Sequence, residues 1–233
     1  MTNLRPSTKN LSVIPNPENL YKRCAGLCML NKLQNIIIDY DVDESYFMEG
    51  WMEGTKVFVF DNNEGDYLHI AFRENQCFIK GFGHESEMSS WASNKLWNGM
   101  LNGFPEIMLD ILNDASLMIN ECTTFLYWWN PNKKVWETGV NLNTFPPDTC
   151  LGLADMSEML LEPFIQDEGA FVDWAENHFT NNDGAPLDVE DLFPKIFNNQ
   201  PLAVELIKMS APEITKEQII ELQNLAANIN YSK

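Results

Sequence analysis

Apolar residues recur every three or four positions between residues 19 and 38, where Leu20, Cys24, Leu27, Cys28, Leu30, Leu33 and Ile36 trace one stripe. That spacing predicts an amphipathic helix, with Pro17 near its start, where a missing N–H is tolerated. Residues 39–44 then break the pattern with charge. Beyond them the period shortens. Residues 56–60 are an apolar run closed by the polar cluster 61–66. Residues 67–72 follow, then a turn at 73–75, then 76–82. Polar connections of three to six residues are too short for helical crossovers, so these runs are expected as consecutive antiparallel strands. Two more strands are expected at 123–129 and 134–139, around the turn Asn130-Pro131-Asn132-Lys133.

Residues 104–112 read as a short helix with Pro105 in its first turn. After Gly152 helical spacing takes over, at 154–161, 171–179, 189–197, 202–209 and 215–229, the last opened by Thr215 and Gln218 as a capping box. The expected fold class is α+β: an antiparallel meander sheet with flanking helices and a helical, acidic C-terminal portion. Residues 1–18, rich in Pro, Asn and Ser, are expected as a loose arm, 19–150 as the α+β body, and 151–233 as a helical portion packed on it.

Charge changes this picture. Between Val135 and Pro194 there is no lysine or arginine, while thirteen Asp and Glu residues fall there, in a chain of net charge −19. The same stretch is rich in Trp, Phe, Leu and Met, so it is a folded surface rather than a solvated tail. Such a surface repels nucleic acid and anionic membrane, and its natural partner is a basic protein surface or a cation. Asp155, Glu158 and Glu162 recur at helical spacing, an expected acidic stripe opposite Met156, Met159 and Leu160. With Asp167, Glu168, Asp173 and Glu176 they form the expected partner-binding face. Acidity alone also serves solubility. The complete lack of interspersed cations argues for more.

No apolar run approaches the roughly 18 residues of a membrane helix, and the first twenty residues are expected to carry no secretory signal. Five scattered cysteines, Cys24, Cys28, Cys77, Cys122 and Cys150, then read as reduced thiols of a cytoplasm. No cofactor or metal is expected. Cys24 and Cys28 lie one helical turn apart but lack a second pair, and His69, His84 and His178 show no further ligand. Asp61, Glu64 and Asp66 lack the alternating ligands and closing Glu of a calcium loop.

The most unusual local text runs from Phe78 to Ser89, where Gly81 and Gly83 bracket Phe82 and present His84, Glu85 and Ser86 on a loop. A histidine beside a carboxylate and a hydroxyl, with Asp66 as a further acid, is the material of a general base and nucleophile. Successive side chains diverge, however, which favours a turn capped by Ser86 or Ser89 and a locally bonded His84. Trp91, Trp97, Trp128, Trp129 and Trp136 are expected mainly in internal packing, with Trp128 and Trp129 on opposite faces of a strand.

Residues 62–139 resemble an uncharacterised family of bacterial cytoplasmic proteins. The likeness rests on Glu64-Gly65-Asp66-Tyr67, on Ile79-Lys80-Gly81-Phe82 with His84-Glu85-Ser86 and Met88-Ser89, on Trp97, Gly99, Gly103, Phe104 and Pro105, and on Thr123, Thr124, Phe125 and Trp128. It implies no particular activity. The Gly65-Asp66 turn before a strand is also similar to that of the Smi1/Knr4-type immunity superfamily, with a different order of flanking helices. The leading expectation is a non-enzymatic module whose acidic face docks a basic protein, in its concrete form an immunity protein covering a basic toxin. A toxin that acts on nucleic acid must be basic to hold phosphate, and an acidic inhibitor gains on-rate and specificity from that. The alternatives are an enzyme of unknown reaction with a site near His84, Glu85 and Asp66, and a regulatory or scaffold subunit.

Overall fold

The computed structural model describes residues 5–39, 45–48, 52–89, 95–117, 119, 122–148, 152–181, 183–187 and 191–232. Trp91, Cys150, Asp188, Glu190 and most of the charged break after residue 38 lie outside them. Helix α1 spans Pro17–Ile38. The Asn16 side chain accepts the Asn19 N–H, satisfying one of the donors a helix start leaves open. Six strands follow: β1 (Ser45–Met48), β2 (Thr55–Asp61), β3 (Tyr67–Arg73), β4 (Gln76–Phe82), β5 (Phe125–Asn130) and β6 (Val135–Glu137). They form one sheet in the order β1-β2-β3-β4-β5-β6, every pair antiparallel. The expected meander is therefore present, with 56–60, 67–72 and 76–82 as consecutive neighbours.

Strand β1 was not legible in the sequence; it is four residues long and lies at the sheet edge. The start expected at residue 123 falls instead at Phe125, because the threonines before it serve another purpose. Thr124 donates its N–H to the Gly81 carbonyl at 2.8 Å and its hydroxyl to the Asp155 carbonyl at 2.8 Å. Thr123 donates its hydroxyl to the Ile119 carbonyl.

Both faces of the sheet are apolar. Phe58, Leu68, Ile70, Ile79, Phe125 and Tyr127 belong to one core, while Val57, Val59, Ala71, Phe78, Leu126 and Trp128 belong to the other. Period-two alternation sends successive residues to opposite sides, so each strand feeds two cores. The second face is covered by Met100, Phe104, Met108, Leu117 and the one-turn helix α2 (Leu109–Leu112). The first is covered by α1 and the C-terminal elements α3 (Ser157–Leu160), α4 (Glu168–His178), α5 (Leu192–Phe197), α6 (Val204–Ser210) and α7 (Lys216–Asn228). Helix α7 opens on the expected capping box, Thr215 with Gln218. Lying between sheet and helices, α1 is buried beyond its apolar stripe, with Arg23, Gly26, Asn31 and Asn35 also buried. A Cβ on Gly26 would come within 2.8 Å of Ile196 Cγ2, so α1 and α5 pack at a distance only glycine permits. Among the described residues no helix is long and apolar enough to cross a membrane.

The N-terminal arm departs from its expectation. Ser7 and Thr8 are buried at 2% exposure. The Thr8 hydroxyl donates to the Asp155 carboxylate and also meets the Tyr127 hydroxyl, while its N–H donates to Ser157 Oγ at 3.0 Å. Trp136 Nε1 donates to the Pro15 carbonyl at 2.9 Å, and Gln166 Nε2 to the Val13 carbonyl at 2.7 Å. Its composition reads as loop, yet it holds a 3-10 turn at Leu11–Val13 and an isolated bridge between Ser7 and Asn10. Its partners lie more than a hundred residues away, which no local pattern reveals.

Replacing Thr8 by valine keeps the shape but leaves Asp155 and Tyr127 short of a buried partner. Thr8→Val is expected to lower stability by about 1–3 kcal/mol, seen as a lower urea midpoint at unchanged m-value. Proteolysis should then reach the arm before the body. An unchanged midpoint would mean that the arm does not hold the body together.

Candidate functional site

The turn between β2 and β3 is built from its own side chains. Asp61 Oδ1 accepts the Asn63 N–H at 2.8 Å, and Asn62 Oδ1 accepts the N–H groups of Glu64 and Asp66 at 2.9 and 3.0 Å. Asn63 and Gly65 take left-handed backbone, φ 57° and 106°, and it is this backbone rather than crowding that calls for glycine at 65, since a Cβ there would only touch the His84 ring. The turn thereby carries the Asp66 carboxylate inward to the end of β4. Asp66 Oδ1 accepts both the His84 N–H and Nδ1–H at 2.7 Å, and Oδ2 accepts from Asn62 Nδ2 at 3.1 Å. Asp66 is buried; the His84 side chain is 44% exposed, with Nε2 outward and 4.0 Å from Glu85 Oε1.

The structure thus joins Asp66, His84 and Glu85 and separates Ser86 from them. The Ser86 hydroxyl donates to the Ala154 carbonyl at 2.5 Å and accepts the Met88 N–H at 3.0 Å. It is a turn cap tied to the C-terminal portion, not a nucleophile beside the imidazole. The sheet histidine, His69, sits across from Lys80 in the β3–β4 register, with the Lys80 Nζ 4.8 Å above the Tyr67 ring. All three are on the second face, and Lys80 is fully buried.

The acidic positions divide. Asp155 does not belong to an exposed face: it is 0% exposed, with Oδ1 accepting the Ser157 N–H at 3.0 Å and Oδ2 held by Thr8. Burial raises its pKa, against the pull of those hydrogen bonds. The expected stripe fails for the same reason. Helix α3 is a single turn whose approach buries Asp155 and Met156, while Met159 is 41% exposed. Glu158 and Glu162 are half-buried, and Asp167, Glu168, Asp173 and Glu176 are exposed on α4 and its start. Asp167 caps α4 by accepting the Ala170 N–H, and Glu168 accepts from Asn198 Nδ2. Cations reach this half from the arm: Arg5 pairs with Glu162 at 3.1 Å and Lys9 with Asp148 at 2.5 Å.

Where the β2–β3 turn faces α3 and α4, a cleft of about 320 Å³ opens. Its walls are apolar, with Phe60, Leu68, Leu160 and Phe179, and its rim carries Asp61, Glu64, Asp66 and Glu162 without any lysine or arginine. Trp174 forms one side, its ring stacked on His178 at 4.4 Å, and a second cleft on the far side of this pair includes Asp173. Sequence reasoning did not single out Trp174 of α4, nor place Asp61 and Glu64 beside that helix. The i,i+4 pair Trp174–His178 in an acidic helix was the available signal. Among the described residues no group of three or more His, Cys, Asp or Glu side chains is placed to hold a metal. No family model, curated protein or solved structure matches the chain.

His84 and His69 give stability opposite pH dependences. His84 titrates above its ordinary value because Nδ1–H bonds to Asp66, with Asp66, Glu85 and Glu64 adding negative field. Its contribution is complete below about pH 6.5 and fades as pH rises through the folded value. His69 is pushed down to about 3, first by burial and then by the Lys80 charge. Its folded pKa lies below the unfolded one, so stability is lost as pH falls from about 6.5 toward 3, by up to about 1.4 kcal/mol per pH unit. In thermal melts from pH 4 to 9, His84→Gln should flatten the alkaline limb and His69→Gln the acid limb. An alkaline limb unaltered in His84→Gln would show that the Asp66 pair contributes nothing in solution.

Proposed function

We propose that this protein binds a basic protein, using the acid-rimmed cleft beside Trp174 and the outer face of α4 as its docking surface. One observation carries the reading: carboxylates on two separate chain segments line an apolar cleft without a lysine or arginine in its described lining. Although Asp66 is bonded to His84 and Glu162 to Arg5, Asp61 and Glu64 have no lysine or arginine partner among the described residues. An aromatic wall with an acidic rim suits an arginine or lysine side chain, whose stem packs on Trp174 while its charge meets the carboxylates. Asp173 and Glu176 extend the negative surface along α4. Among the described residues neither has a lysine or arginine within ion-pair distance. Such charges steer encounter more than they hold the complex. An immunity protein that covers a basic toxin is the concrete form, in keeping with the likeness of the Gly65-Asp66 turn to the Smi1/Knr4-type superfamily.

The Asp66–His84 pair supports a second reading, an enzyme. A buried carboxylate on Nδ1 with Nε2 turned outward is the arrangement of a general base. Ser86 is committed elsewhere, so water would be the group activated.

The test uses a partner captured from the native cytoplasm at low salt, then kinetics on the purified pair. Glu64→Lys, Glu162→Lys and Asp173→Lys together should slow association about tenfold or more at low salt and change dissociation far less. Trp174→Ala should instead speed dissociation. Binding that is unaffected by the triple variant and by salt would leave the acidic surface as a solubility feature. Asp155 is excluded from charge reversal, since a buried lysine there would disrupt the fold rather than the encounter.

A further inference from the structure

Arg23, in the second turn of α1, is 7% exposed and, among the described residues, pairs with no carboxylate. Its guanidinium lies between two aromatic rings, with Cζ 4.2 Å from the Phe171 centroid and 4.0 Å from that of Phe197. Nη1 donates to the carbonyls of Pro163 and Ile165, both at 3.2 Å, and Nε reaches no acceptor. Among the described residues no acid lies within ion-pair distance of it, in a chain where acids outnumber bases by more than two to one. Burial lowers its pKa to about 10, which leaves it charged at neutral pH. A buried cation without a counter-ion is costly, and rings and carbonyls offset only part of that cost.

Arg23 forms part of the wall of a cavity of about 320 Å³ that opens beside the first turns of α1. Asn19, Lys22, Gln166, Asn198 and Asn199 complete its polar lining. The positive end of a 22-residue helix adds to the field there. We infer that this cavity is an anion site, taking the carboxylate or phosphate group of a small ligand with Arg23 as its counter-charge. Nη1 is committed to two carbonyls and Nε is closed off, so Arg23 acts on such a group through its charge rather than through a two-oxygen fork. Lys22 stands at the rim, paired with Glu18 at 2.6 Å. Glu18 and Glu168, the latter bonded to Asn198 at 2.7 Å, are the acids that touch wall residues. Both are exposed, so water screens them more than it screens Arg23. The cavity shares no residue with the acid-rimmed cleft, and the inference stands apart from the docking proposal.

Thermal melts of the full chain, titrated with inorganic phosphate and separately with succinate against sodium chloride of matched ionic strength, test this. At least one anion should raise Tm saturably beyond the chloride control, and the one that saturates at lower concentration identifies the group preferred. Asn19→Asp is the decisive variant. A carboxylate in the first turn of α1 favours the helix, so the unliganded Tm should hold or rise, while anion affinity should fall at least tenfold. Arg23→Met should also abolish the response; should it fail to fold, Asn19→Asp carries the test alone. No rise beyond chloride with either anion, or an equal rise in Asn19→Asp, would overturn the site and leave Arg23 as a clamp on the 163–165 carbonyls.

Discussion

Strands β4 and β5 are apolar on both sides, with Ile79, Phe125 and Tyr127 facing one way and Phe78, Leu126 and Trp128 the other. A sheet of that kind needs two covers, since either face left to water would expose several large side chains at roughly 25 cal/mol per Å². The remaining architecture follows from this demand. The chain leaves β4, lays residues 95–117 over the second face, and returns to pair with the strand it left. The first face takes α1, and α1 in turn needs a cover of its own, which the C-terminal helices supply. Gly81 marks how tightly β4 and β5 pack side by side, because a Cβ there would collide with the ring of Phe125, its partner on β5.

Three layers leave ionisable groups inside, and each is accommodated differently. Asp155 is surrounded by the hydroxyls of Thr8 and Ser157 and by the Ser157 N–H. Arg23 rests between phenyl rings and on backbone carbonyls. Lys80 lies over Tyr67, and His69 beside it stays neutral. Asp155 also links the arm, β5 and the start of the helical portion into one hydrogen-bonded joint. Burial of a charged group is tolerated where hydrogen bonds replace water, and these contacts do so from three distant parts of the chain.

The same folding separates charge across the surface. Residues 135–194 contain no cation, yet the arm brings Arg5 and Lys9 to two of their acids. Among the described residues, the acids left without a lysine or arginine partner include Asp173 and Glu176 on α4 and, beside the cleft, Asp61 and Glu64 of the β2–β3 turn. At the other end, Arg23 and Lys22 stand near the start of α1. The molecule therefore presents an acidic surface and, apart from it, a small recess lined by Arg23 and Lys22.

Most elements were legible in the sequence, because their signals are local. Strand β4 has the bounds its alternation implies, α1 begins at the proline that marks it, and α7 carries the capping box read from Thr215 and Gln218. The turn role of Ser86 was legible for the same reason, since glycines and a hydroxyl at a strand end act within a few residues. Strand β1 was too short to show a period. Asp155 has helical spacing to Glu158 and Glu162, and spacing alone placed it outside. Only the approach of Thr8 and Tyr127, 147 and 28 positions away in the chain, puts it inside. The packed arm, the acid-rimmed cleft and the Arg23 recess likewise depend on segments far apart in the chain. Periodicity and turn chemistry report on neighbours in sequence, whereas burial of a charge and closure of a cleft are set by neighbours in space.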